Sequence, residues 1–176
     1  MPRDNPEQKS DCSRCAGLCC VALPFDKSDD FAFDKAAEEP CRHLGGDFRC
    51  AIHAQLEDRG FRGCVAYECY GAGQRVTQDV FDGRNWRDEP ALARRMFGAF
   101  GAMRVIHELL MLLRMAGQLD LTVTQRQELH ALQARLMPDS GWSEDTLAAF
   151  ETTRIRAEAN AFLKTLQPQS GALRGE

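Results

Sequence analysis

The stretch Cys12-Ser13-Arg14-Cys15-Ala16-Gly17-Leu18-Cys19-Cys20 sets four thiols within nine residues, and Cys41, Cys50, Cys64 and Cys69 follow it. All eight cysteines of the 176-residue chain lie before residue 70. They therefore serve one local object rather than general packing, and that object is most simply a metal centre. This reading divides the chain into a flexible lead at 1–11, a cysteine-rich metal-binding lobe at 12–88, a helical region at 89–167 and a tail at 168–176. The fold class that follows is mainly α: an irregular cysteine-rich lobe with short strands, packed on a helical hairpin or bundle of about three helices.

Working outward, Val21-Ala22-Leu23-Pro24-Phe25 reads as an apolar, extended exit from the knuckle, since proline disfavours a helix interior there. Phe31-Ala32-Phe33 and Phe48-Arg49-Cys50-Ala51-Ile52 alternate as short strands do. Ala54 to Gly60 reads as a short helical segment stopped by glycine. Gly71-Ala72-Gly73 reads as a tight turn beside a crowded centre; a phosphate loop would need a strand-loop-helix setting and a lysine. Asp82-Gly83 is a further turn.

Past residue 88 the apolar period becomes helical. Pro90 opens a helix at a position where its missing N–H costs nothing. Leu92, Met96, Phe100, Met103 and Leu110 form one stripe, with Ile106 and Leu113 along its margin. Between Val105 and Leu113 this helix is apolar nearly all round, so other elements must surround it. Thr124-Gln125-Arg126-Gln127 has the form of a capping box, ahead of a second helix buried through Leu129, Leu132 and Leu136. Ser143 caps a third, with Trp142 placed to pack on Leu147. Its seam runs Ala148, Thr152, Ile155, Ala159, Phe162 and Leu166, and packs inside a hairpin or contacts a protein partner or second copy.

Composition narrows the function. The net charge of −4 and pI near 5.6 supply no basic face for nucleic acid. The apolar run Leu109 to Leu113 is far shorter than the roughly 20 residues that cross a bilayer, and the N-terminus lacks the apolar core of a signal peptide. The expectation is a cytoplasmic protein with no membrane partner. Reducing cytosol disfavours structural disulfides and turns clustered thiols toward metal binding or redox work.

Thiolate is a soft ligand for zinc and iron–sulfur clusters, each commonly held by four protein ligands. Eight thiols thus amount to two sites, or to one site with auxiliaries. Cys12 and Cys15 bring two sulfurs to one centre, an element that zinc and cluster proteins share. Adjacent Cys19 and Cys20 point to opposite sides in extended backbone, so one is free to meet Cys41, Cys50, Cys64 or Cys69. The unpaired spacing of those four departs from zinc ribbons and tilts the choice toward iron–sulfur. His43 and His53, near Cys41 and Cys50, are alternative ligands. His107 reads as a satisfied core residue and His130 as exposed. No Ser/His/Asp arrangement is visible, and the chain does not read as an enzyme.

The pattern Cys12-x₂-Cys15-x₃-Cys19-Cys20, Cys41-x₂-Leu44, Cys50-x-Ile52, Cys64 and Cys69 resembles the YkgJ-like family of zinc- or iron-chelating cysteine-cluster proteins. His53 stands where that family has tyrosine, and Arg59 to Cys64 is longer and lacks its proline. The chain is still more similar to the cysteine-rich N-terminal region of some bacterial pentapeptide-repeat proteins. The residues that carry this likeness are Cys15 to Phe25, Asp47 to Cys50, Gly71 to Gln74, Gly83-Arg84, Trp86-Arg87 and His107 to Leu110. It shows no five-residue repeat, so the resemblance implies only a metal-binding module. Together these readings imply a metal-binding protein holding an iron–sulfur cluster or Zn2+ through all eight cysteines, with a redox or electron-transfer role. The alternatives are a structural zinc interaction module and a metal-free thiol redox protein.

Overall fold

A computed structural model describes residues 8–166. The tail expected at 168–176, and residues 1–7 of the expected lead, lie outside them. Seven α-helices occur among the described residues: α1 Leu18–Ala22, α2 Arg62–Ala66, α3 Ala72–Arg75, α4 Ala93–Ala116, α5 Val123–Leu136, α6 Glu144–Ala148 and α7 Thr152–Thr165. The mainly α class holds. The short strands do not appear. Among the described residues the only β pairing is two isolated antiparallel bridges, Phe25 with Lys35 and Leu44 with Cys50. The reason is local: Val21 and Ala22 belong to helix α1, and Phe48 sits at φ +62 in a turn, so neither segment has the length of extended backbone that a ladder needs.

Helix α4 is the axis of the molecule. It is entered through a 3-10 turn, Pro90–Leu92, with proline in the first turn as expected. Its buried residues include Met96, Phe100, Met103, Ile106, Leu110 and Leu113, and they lie on more than one side. Helix α1 and helix α3 pack on it from the cysteine half, while α5, α6 and α7 pack on it from the C-terminal half. Both halves share one apolar core, from Leu18 and Val21 through Phe81 and Phe100 to Phe162.

The span Pro90–Ala116 is long and apolar enough, by length and composition, to cross a membrane; 56% of its most apolar part is buried inside the protein. The uninterrupted run Leu109 to Leu113 understates this, because hydropathy averages across the glycines and isolated charges that interrupt it.

Two C-terminal boundaries differ from the sequence reading. The capping box of α5 uses Thr122 with Gln125, two residues earlier than the Thr124–Gln127 pair, since Thr122 is the residue with extended backbone at the helix start. The third helix is two: Ser143 caps α6 through a reciprocal bond with Thr146, the chain breaks at Ala149 to Glu151, and α7 follows. Trp142 packs on Phe150, ring centroids 4.7 Å apart, and donates its indole N–H to the Leu136 carbonyl at 3.1 Å. Those contacts anchor the break. Ile155, Ala159 and Phe162 of the seam are buried, Ala148 is exposed, and α7 packs on α4 and α5.

His107 is 2% exposed on α4, and its Nδ1 lies 2.5 Å from the Tyr70 carbonyl oxygen, so Nδ1 carries the proton. Burial lowers its pKa, the Tyr70 carbonyl opposes that shift, and Arg75 adds to it. A folded-state pKa below the unfolded value near 6.5 means that the unfolded chain binds the extra proton first. The stability from neutral His107 is therefore complete above that value and lost as pH falls through the folded pKa. Asparagine keeps a donor for Tyr70 and cannot titrate. Thermal melts should show wild-type stability dropping more between pH 7.5 and 5.5 than that of His107→Asn.

Candidate metal centre

The knuckle begins with a 3-10 turn at Cys12–Arg14, capped by Asp11, whose carboxylate accepts the Ser13 N–H at 2.9 Å. Gly17 follows at φ +66, and a Cβ there would lie 2.9 Å from the Leu44 side chain and 3.2 Å from the Phe48 carbonyl oxygen. Glycine is required on both counts. It lets the chain turn directly into α1, whose first residues are Leu18, Cys19 and Cys20.

Helical rather than extended backbone at Cys19 and Cys20 changes their geometry. Their sulfurs are 3.9 Å apart instead of pointing to opposite sides. The hydrogen bond from Cys19 lowers the Cys20 pKa, helped by the Lys35 ammonium and opposed by burial; the same bond and burial raise Cys19.

The other thiols arrive on short turns. The Cys41 amide donates to the Cys20 carbonyl at 2.9 Å, and the Leu44–Cys50 bridge sets Cys50 beside the Cys41 turn. Helix α2 carries Cys64. Cys69 lies 3.0 Å from the Ser10 hydroxyl, and its carbonyl accepts from Ala72 at 3.0 Å. Cys15 rests on α3 so closely that a Cβ on Gly73 would be 2.6 Å from its sulfur.

All eight cysteines are free thiols. Burial pushes Cys15 and Cys64 up to about 11, and their neighbouring thiols add to it: Cys69 and Cys12 for the former, Cys20, Cys41 and Cys50 for the latter. Among the described residues, no three His, Cys, Asp or Glu side chains converge closely enough to hold a metal ion as they stand. His43 packs its ring on Phe61 and Phe33, at 5.5 and 5.8 Å, while His53 is exposed.

Several further residues support the thiols, of which Thr77 and Lys35 carry no sequence signal of their own. Thr77 accepts the Ala16 N–H at 3.0 Å and donates to the Gly73 carbonyl at 2.9 Å, while Trp86 donates its indole N–H to the Ala16 carbonyl at 2.8 Å. Arg87 bonds the Gly45 carbonyl at 2.6 Å and lies over the Phe48 ring at 4.6 Å. Lys35, 6% exposed, donates to the Val21 and Ala36 carbonyls. The Tyr67 hydroxyl and the Arg104 Nε are buried without hydrogen-bond partners. Two cavities of about 190 and 160 Å3 meet at Arg75 and His107, and no cysteine lines either.

The chain is 43% identical over 154 residues to the uncharacterized protein YybG of Bacillus subtilis (strain 168). That alignment covers 88% of this chain and 55% of YybG, so the chain spans about half the length of the curated relative it matches. No family model matches it. No solved structure matches it either.

Two substitutions probe the supports. Gly73→Ala forces Cys15 to move and should destabilise the protein by about 1–3 kcal/mol; Gly98→Ala, which meets no atom within 4 Å on α4, should be stabilising by up to about 1 kcal/mol. Denaturant melts of the two variants compare them directly. Thr77→Val leaves the buried Ala16 N–H unpaired and should cost about 1–3 kcal/mol in the same measurement.

Proposed function

We propose that this chain is a metal-binding protein of the YkgJ-like cysteine-cluster kind, holding an iron–sulfur cluster or zinc through Cys12, Cys15, Cys19, Cys20, Cys41, Cys50, Cys64 and Cys69, and working in the cytoplasm. One observation carries this reading. From Ala22 to Tyr70 the only buried apolar residues are Leu56 and Phe61. A stretch of that length cannot be held in place by so small a core, and natural segments of this kind are stapled by disulfides or metal. Here the staples available are free thiols, four of them inside that stretch and four on the knuckle it folds against.

The donor set fits a soft metal. Thiolates suit both zinc and clusters, and a bound ion would stabilise the deprotonated form that burial disfavours at Cys12, Cys15, Cys41, Cys50 and Cys64. The 3.9 Å between the Cys19 and Cys20 sulfurs is close to the roughly 3.8 Å between two ligands of a tetrahedral zinc with bonds of about 2.3 Å. That separation keeps zinc level with iron–sulfur, against the tilt that irregular spacing alone suggests. With a cluster the role is electron transfer or redox sensing. With zinc it is structural, and the lobe's thin core favours that second reading.

Purification of the full chain under anaerobic conditions, followed by metal analysis and an absorption spectrum, tests both. Iron with visible charge-transfer absorption establishes the cluster and removes zinc; a colourless protein carrying about one or two zinc ions does the reverse. A folded protein with neither metal, and with no uptake on reconstitution, overturns the proposal.

A further inference from the structure

We propose that the two cavities meeting at Arg75 and His107 form one binding site for a small hydroxy acid with an apolar body. Its carboxylate lies at Arg14 and Arg75, its hydroxyl at His107, and its body against Leu110, Leu136 and Trp142. No cysteine lines either cavity, so the site does not depend on a bound metal. The knuckle turn, α3, α4 and the turn from Met137 to Trp142 each supply part of the wall, and one ligand therefore touches both halves of the molecule.

The two cavities differ in character. The first, of about 190 Å3, is lined by Arg14, Arg75, Gln78 and Asp79 among others. Asp79 takes one nitrogen of Arg75, Nη1, at 2.8 Å, while Arg14 is exposed and has no ion pair among the described residues. Two guanidinium groups against one carboxylate leave a positive excess there. The Gln78 amide donates to the Arg14 carbonyl at 2.8 Å and so holds that residue's backbone at the cavity rim. Guanidinium suits a carboxylate because its rigid fork donates two parallel N–H bonds. The second cavity, of about 160 Å3, has the buried Ile106, Leu110 and Leu136 in its wall. Trp142 adds a further side. Its indole N–H is spent on the Leu136 carbonyl at 3.1 Å, so it offers the cavity an apolar ring and no donor.

His107 lies where the cavities meet. Its Nδ1 proton goes to the Tyr70 carbonyl at 2.5 Å, which makes Nε2 of the neutral ring an acceptor. Burial favours that neutral ring. Nε2 has no hydrogen-bond partner among the described residues, and the ring borders both cavities. A carboxylate alone would set negative oxygen against this lone pair. A hydroxyl placed between the carboxylate and the apolar body donates to it instead. The joint volume falls at the lower end of the roughly 300–1,000 Å3 of ligand pockets, which suits an aryl or branched-chain hydroxy acid and is small for a nucleotide.

The test uses the full-length chain as purified and phenyllactate as the probe, followed by saturation transfer to the ligand and by the two tryptophan indole N–H signals in NMR spectra. Saturable binding is expected, shifting the indole signal that is missing in Trp142→Phe and leaving that of Trp86 in place. Phenylpropionate, which lacks the hydroxyl, and the methyl ester of phenyllactate, which lacks the charge, should each bind about tenfold more weakly. Arg14→Gln and Arg75→Gln should each weaken phenyllactate about tenfold and leave the ester unchanged, a split that a general loss of structure does not produce. No saturable binding of phenyllactate or of its branched-chain counterpart, leucic acid, at about 10 mM overturns the proposal. So does binding that is equal for acid and ester. Equal binding of phenyllactate and phenylpropionate overturns the part given to His107. If Arg75→Gln loses its fold, the exposed Arg14 decides: unchanged phenyllactate binding in Arg14→Gln counts against the site.

Discussion

Ala16 is the joint on which the molecule turns. Its N–H is taken by Thr77 and its carbonyl by the Trp86 indole, so one residue between two thiol-bearing turns is held through both its flanking peptides by residues some 60 to 70 positions away. Thr77 sits in a π-helical turn, Val76–Val80, which continues α3 and aims its hydroxyl back at the knuckle. Such turns are rare and tend to occur at functional sites. Because α3 also packs on α4, the position of the first four cysteines is tied to the core helix, and the knuckle inherits the rigidity of the bundle.

The stretch from Leu23 to Ala66 is tied to this frame at few points, among them Arg87 on Gly45 and Phe48 and the Cys41 amide on Cys20. Its other stabilising contacts are an aromatic patch and backbone turns. Phe25 stacks on Phe31 at 4.5 Å, Phe33 meets Phe61 edge-on at 5.2 Å, and Arg42 lies 3.5 Å above the Phe33 ring. Aromatic pairs of this sort contribute on the order of 1 kcal/mol each. Set against a conformational entropy cost of about 1–2 kcal/mol per residue, the patch organises the loop without holding it. The division of labour is physical: the bundle fixes the knuckle thiols, and the other four ride on turns that a thin core holds.

Much of this was legible in the sequence, and the gaps have identifiable causes. The core helix was visible because its apolar residues repeat over 24 positions, long enough for periodicity to outweigh interruptions. Of the expected Gly71-Ala72-Gly73 turn only Gly71 turns the chain, at φ +82; Ala72 and Gly73 open helix α3, where Gly73 lies against Cys15. The strands were misread because three to five alternating residues also fit a helical turn or a loop, and only a partner strand distinguishes them. The same ambiguity misplaced Cys19 and Cys20, whose separation depends wholly on whether the backbone is extended or helical. Thr77 and Lys35 were invisible because a threonine's acceptor and a lysine's burial are set by contacts far along the chain. Trp86, Arg87 and His107 did stand out as non-cysteine positions of the resemblance, and they bond Ala16, Gly45 and Tyr70.

Lys35 links the electrostatics of the lobe to its packing. Its ammonium ends against the Val21 carbonyl, at the C-terminal turn of α1, so it caps the helix that presents Cys19 and Cys20 while lying beside Cys20 and Cys41. A cation at a helix C-terminus is favourable in its own right, by about 0.3–1 kcal/mol when exposed. Burial to 6% exposure removes water that an ammonium would otherwise keep, and two carbonyls replace only part of it. The Phe25 ring face, 5.7 Å from the ammonium, adds a cation–π contact, and Cys41, Cys20 and Glu39 lie close enough to favour the charged form against burial. Lys35 therefore ties the end of the helix that presents Cys19 and Cys20 to the neighbouring Phe25 strand-like turn, through carbonyl bonds and the ring together.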